Sequence, residues 1–224
     1  MPNYFYNILF SGDSKFNSII EIISQAGYTL LNPEEQVITG IIDSEEFESD
    51  NKDKVQQALS EKGGLLRLWG KSINLSLWFE VNSPLREISV IAEQAYFTEN
   101  NPNREFVSEH LKKIFSELCK KTTSVYGYAD DEHSCKVFGY DSNIENINTG
   151  KEPVLSWFNY FSTDYLEKIG GKKIFQNFNC NITEINSGGI LVSFFNHPWE
   201  ADFVEIQLLN EKWKEEHIFR DILK

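Results

Sequence analysis

The chain has 224 residues, enough for one large domain or two small ones, and its 41% hydrophobic and 25% charged residues are those of a globular protein rather than a disordered one. A formal charge of −13, from 34 acidic against 21 basic residues, argues against a nucleic-acid binder, which needs Lys and Arg to displace counterions, and against docking on anionic lipid. Aromatic residues are abundant, 17 Phe, 9 Tyr and 5 Trp beside a single Met, and imply a rigid, ring-packed core.

Tyr4 to Phe10 is aromatic and β-branched and reads as the first strand. Ser11-Gly12-Asp13-Ser14 breaks it, with Ser14 as a helix cap, and Phe16, Ile19, Ile20 and Ile23 then recur at helical spacing until Gly27 stops the helix. Thr29 to Leu31 and Val37 to Ile42 read as short strands separated by Asn32-Pro33. Asp43 to Asp53 holds six carboxylates and one lysine, Lys52, and is expected to be an exposed loop leading into a helix through Val55, Ala58 and Leu59. Gly63-Gly64 closes that helix.

Three strands are expected next, over Leu65 to Trp69, Ile73 to Val81 and Glu87 to Phe97. In the second, Leu75, Leu77 and Phe79 alternate with Ser76, Trp78 and Glu80, so the strand has two unlike faces. Asn103 to Lys121 is the clearest helix, its apolar face given by Phe106, Leu111, Ile114, Phe115 and Leu118. Ser124 to Ala129 reads as a strand, Asp130 to Cys135 as an exposed turn, and Tyr140 to Pro153 as a connecting loop where the chain could divide into two halves. Beyond it lie an aromatic strand over Val154 to Phe161, a short helix ending at Gly170-Gly171, a hairpin around Asn186-Ser187-Gly188, and a closing helix from Asp202 to His217. Strands joined by hairpins, without regular βαβ units, predict an α+β fold: a mainly antiparallel sheet with helices on one face, as a single domain over 1–224 or two similar α+β halves.

No motif of catalysis stands out. The four histidines are scattered, no HExxH or GxSxG occurs, and the paired glycines at 63-64, 170-171 and 188-189 mark element ends rather than a phosphate loop. Asp130-Asp131-Glu132-His133-Ser134-Cys135 is the densest group of potential metal ligands, but it lacks the CxxC-type spacing of a zinc site, and a turn explains it more simply. No catalytic, cofactor or metal residues are therefore assigned. Cys119, Cys135 and Cys180, an odd number at wide spacing, fit a reducing compartment. Met1-Pro2-Asn3-Tyr4 opens no export signal and no apolar stretch approaches the length of a membrane span, so the expected location is the cytoplasm.

One segment is similar to a known family. Trp157-Phe158-Asn159-Tyr160-Phe161-Ser162, then Tyr165-Leu166-Glu167-Lys168-Ile169-Gly170-Gly171, then Gly188-Gly189-Ile190-Leu191-Val192, resembles a pattern in bacterial immunity proteins, which neutralise type VI secretion effectors or polymorphic toxins. There a Trp-x-x-Tyr segment precedes a short helix ending in Leu/Ile-Gly and a Gly-Gly-hydrophobic strand. The likeness covers residues 155–195, and where the family continues with a proline-containing segment and a tail helix, this chain has Asn196-His197-Pro198-Trp199 before Asp202. The resemblance implies an α+β fold and a non-catalytic role in binding a protein toxin.

The matching surface is sought among the acids. Asp43, Glu45, Glu46, Glu48 and Asp50 are the expected contacts for a basic toxin domain, with charge steering association and aromatics serving as anchors. The alternatives are a small-molecule-binding domain or enzyme with an unrecognised site, built on His133 or His197 beside a carboxylate, and a self-associating structural module.

Overall fold

A computed structural model of the chain describes residues 3–10, 16–81, 85–140, 142–149, 151–185 and 188–222. The expected turn and cap at Ser11 to Ser14 and the hairpin tip Asn186-Ser187 lie outside them. The chain forms two compact units, Asn3–Ser124 and Val125–Lys224. The boundary therefore falls at the start of a strand and ahead of the 140–153 segment.

The first unit contains strands β1 (Asn3–Phe10), β2 (Ile38–Ile42), β3 (Glu45–Ser49), β4 (Gly64–Leu68), β5 (Leu75–Glu80) and β6 (Arg86–Glu93), with helices α1 (Phe16–Gln25), α2 (Lys52–Lys62) and α3 (Arg104–Lys121). The strands lie in the order β3-β2-β4-β5-β6-β1, and each pairing is antiparallel. Tyr6, Ile8, Leu66, Leu77, Phe79, Ile88 and Val90 fall on one face and are buried. The helices cover that face: Phe16 of α1 packs on Phe79 with ring centroids 5.3 Å apart, and Phe115 of α3 meets Tyr6 edge-on at 6.1 Å. Leu59 of α2 is buried against Gly64, whose φ of +139° and closeness to the Ile41 carbonyl leave no room for a side chain.

Local chemistry sets the ends of these elements. Asn51 caps α2 by accepting the Lys54 amide at 3.1 Å, and Gly27 at φ +95° follows α1. Two expectations are corrected. Thr29 to Leu31 forms only isolated bridges, Thr29 to Trp69 and Leu31 to Ile38, because Asn32-Pro33 ends the extended run at once. In the first turn of α3 Val107 is buried beside the expected Leu111, Ile114, Phe115 and Leu118, whereas Phe106 is 63% exposed and stacks on His110, the two rings being 5.7 Å apart. Burial and nearby Lys113 hold the His110 imidazole below its usual range.

The second unit contains β7 (Ser124–Asp131), α4 (Glu132–Phe138), α5 (Ser142–Asn148), β8 (Phe158–Phe161), α6 (Thr163–Lys168), β9 (Asn181–Glu184), β10 (Ile190–Ser193) and α7 (Phe203–Ile222). Its strands lie in the order β7-β8-β10-β9, antiparallel in each pairing. Phe161 packs on Tyr126 at 5.2 Å and on Phe175 at 5.3 Å, and Phe175 stacks on Trp213 of α7 at 5.5 Å. Asp202 and Glu205 form a reciprocal capping box at the start of α7, where the Glu205 amide donates to Asp202 at 2.8 Å.

Two segments expected to be irregular are helical. Asp130 to Cys135 is not an exposed turn: Asp130 is buried, and Asp131 caps α4 by accepting the His133 and Ser134 amides at 2.8 and 3.0 Å. Within Tyr140 to Pro153, α5 is anchored by polar contacts beside the buried Ile147. The Asn143 side chain, fully buried, accepts the Val154 amide at 2.6 Å and donates to the Val154 carbonyl at 3.2 Å.

Candidate functional site

The expected loop over Asp43 to Asp53 is a hairpin with an edge strand, and this corrects the sequence reading. Asp43 and Ser44 take φ of +53° and +67°, the left-handed pair that a two-residue hairpin requires, and Ile42 faces Glu45 across the turn. No Asn-Gly marks this turn; what holds it is the cross-strand register of β2 and β3, which runs without a break from Ile42–Glu45 to Ile38–Ser49. Asp43, Glu45, Glu46, Glu48 and Asp50 are all exposed. Asp43 pairs with Lys62 across the surface, a contact that solvent screens heavily. Asp50 sits in the link just ahead of the α2 cap.

Strand alternation splits this acidic set. Glu46 and Glu48 project from the side of the sheet opposite the helices, and Glu45 from the helix side. On the side opposite the first unit's helices the register aligns Glu46, Ile41, Leu65 and Trp78 in one row across β3, β2, β4 and β5. A neighbouring row runs Arg67, Ser76, Ile91 and Phe5. Trp78 is 36% exposed, Arg67 is exposed, and Ile41, Leu65 and Ile91 are half-buried. Two open depressions meet at Arg67. One, of about 450 Å³, is bounded by Trp69, Asn74, Ser76 and Glu93, and the other, of about 280 Å³, by Thr39, Glu46 and Glu48.

The acidic cluster was legible in sequence, whereas Arg67 and Trp78 were not singled out. For Trp78 a signal existed, because it alternates with core residues on an amphipathic strand. No local signal marks Arg67, whose setting depends on which sheet face the helices leave open.

The other candidates are dispersed. Among the described residues no three His, Cys, Asp or Glu side chains gather to hold a metal. His133 lies beside the Phe203 ring at 6.0 Å, and His197 stacks on Trp199 at 4.4 Å. Neither lines the depressions of the first unit. Burial pushes the Cys119 thiol well above its ordinary value, so it is a poor nucleophile. No helix among the described residues is long and apolar enough to cross a membrane.

Asp130 is a strongly perturbed acid and has a structural explanation. The Tyr140 hydroxyl lies 2.6 Å from the Asp130 carboxyl and 2.9 Å from the Leu155 carbonyl, and its single proton can serve only one of these acceptors. A proton on Asp130 resolves the conflict, since the acid then donates to Tyr140 while Tyr140 donates to Leu155. Burial pushes the carboxyl up to about 7, against the hydrogen bonds from Tyr140 and the Asp131 amide. The folded chain thus keeps a proton that the unfolded chain releases above its ordinary value of 3.8. This raised pKa makes stability fall as pH climbs from about 4 to about 7, by roughly 2–4 kcal/mol, with no further change above. Asp130→Asn mimics the protonated acid. It is expected to match the wild type at about pH 3.5 and exceed it by roughly 2–4 kcal/mol at pH 8 in urea unfolding. Equal pH slopes for the two proteins would refute this assignment.

The residues that carry the immunity-protein resemblance are core and turn residues. Trp157 and Tyr160 are buried, and Gly189 lies under the Tyr160 ring, where a Cβ would come within 2.6 Å of it. Gly170, Gly171 and Gly188 take φ of +112°, +76° and +82°. No protein-family model matches the chain, and no curated protein matches it.

Proposed function

We propose that the chain is a non-catalytic, cytosolic immunity-like protein that binds a bacterial toxin domain of basic charge and blocks it. The observation that carries this reading is the acidic β2–β3 hairpin. It sets Glu45, Glu46 and Glu48 in exposed positions along the rim of a sheet whose first-unit helices pack on the face opposite Glu46 and Glu48. A rim of like charge steers an oppositely charged partner and rejects partners of its own sign. The net charge of −13 extends that field over the molecule. The resemblance over residues 155–195 supports the class of partner, a protein toxin.

Co-expression tests the proposal. Where the adjacent gene encodes a toxin-like domain, expressing that domain alone should arrest growth, and adding this chain should restore it with formation of a stable complex. If no neighbouring gene encodes such a domain and co-expression rescues no growth defect, the reading is wrong.

A further inference from the structure

Charge steers a partner but does not by itself hold one. Affinity concentrates in a few anchors, most often Trp, Tyr or Arg, that lose water on binding. We infer that the part of the first unit's sheet face opposite α1, α2 and α3 that is centred on Trp78 and Arg67 is the docking surface, and that the partner presents to it a lysine- or arginine-rich segment bearing an apolar side chain that seats against Trp78. This rests on reading the chain as the binder of a basic protein.

Three observations converge on that face. Trp78 stands in the row Glu46–Ile41–Leu65–Trp78, so an exposed indole continues a half-buried aliphatic strip that ends in a carboxylate. Such a strip matches a segment with an apolar residue at its middle and a cation at its end. Next, Arg67 lines both depressions yet forms no ion pair among the described residues, although Glu46 and Glu48 border the smaller depression with it. Its guanidinium donors remain available to main-chain carbonyls or a carboxylate of the arriving segment. Finally, Glu46, Glu48 and Glu93 outnumber Arg67 around the depressions, which fixes the sign of the occupant. A second copy meeting this face about a two-fold axis would bring these acids close to their own counterparts, and nucleic acid would be repelled.

Two nine-residue peptides probe the face with the full chain, each with four lysines and differing only in a central leucine or serine. The leucine peptide should bind about tenfold more tightly. Its backbone amide shifts should centre on Ile41, Leu65 and Trp78. Trp78→Ala should erase that preference, and Trp78→Ser should do the same if the alanine variant folds poorly. Glu46→Lys with Glu48→Lys should weaken both peptides about tenfold or more at low salt, whereas Glu61→Lys on α2 should change neither. Equal affinity of the two peptides, a leucine preference that survives Trp78→Ala, or shifts centred elsewhere overturns the inference. So does concentration-dependent dimerisation that Trp78→Ala abolishes, since the occupant would then be a second copy.

The growth assay separates this inference from the function it rests on. Full protection by the Trp78→Ala, Glu46→Lys, Glu48→Lys variant would place the toxin elsewhere and overturn the inference while the immunity role stands. Peptide binding as described, with no protection by the wild type against any neighbouring toxin, supports the docking face and removes the toxin from the reading.

Discussion

Trp213→Ala is expected to cost about 4–6 kcal/mol, enough to unfold the second unit at ordinary temperature. Trp213 is 1% exposed, stacks on Phe175 at 5.5 Å and meets Phe178 edge-on at 5.8 Å. Truncation to alanine opens a large cavity, worth about 3–5 kcal/mol. It also strands the Pro153 carbonyl, which accepts the indole N–H at 3.0 Å, for about 1 kcal/mol more. Trp213→Phe separates the two contributions: it keeps an aromatic ring and loses the hydrogen bond and part of the volume, and should cost about 1–2 kcal/mol. One turn back on α7, Asn210 holds the same segment by accepting the Leu155 amide at 2.7 Å and donating to the Leu155 carbonyl at 2.8 Å. The helix is thus fixed to residues 153–155 by one ring and one amide. Urea unfolding and near-ultraviolet circular dichroism check the expectation. A loss in Trp213→Ala no larger than in Trp213→Phe would show that the ring's packing contributes little.

Where sequence reading succeeded, the information was local. The apolar periods of α1 and α3, the alternation along β5 and the glycines that end α1 and α6 all act within a few residues, so pattern and propensity suffice. The errors share a different cause. β3 is a strand because β2 pairs with it, although its own sequence, Glu45-Glu46-Phe47-Glu48-Ser49, reads as a solvated loop. Short helices α4 and α5 depend on Asp131 and Asn143, polar side chains whose partners lie on other segments or only appear once the helix forms. Val107 rather than Phe106 turns inward because the helix phase is set by what α3 packs against, and apolar character alone does not reveal it. The acids of the candidate site were legible as composition. Their division between two faces was not, because a strand period cannot be applied to residues assigned to a loop.

That division makes the second large effect local and testable. Reversing Glu45, Glu46 and Glu48 to lysine should slow association with the basic toxin domain by about 10²–10³-fold, because attraction at the rim becomes repulsion in the encounter complex. The salt dependence should invert: added salt slows wild-type association by screening attraction and speeds that of the variant by screening repulsion. Folding should survive, since the three side chains are exposed on an edge strand and lysine on such an edge resists unwanted pairing. A second triple variant, Glu21→Lys, Glu61→Lys and Glu105→Lys, changes net charge equally but places it on exposed positions of α1, α2 and α3. It should slow association by less than about tenfold, the loss of long-range field alone. Stopped-flow association at two ionic strengths distinguishes the two variants. If both triples slow binding alike, the protein attracts its partner through total charge only and the hairpin is not the contact. A selective loss in the β3 triple, with unchanged thermal melting, identifies the acidic edge as the place where the partner first meets the sheet.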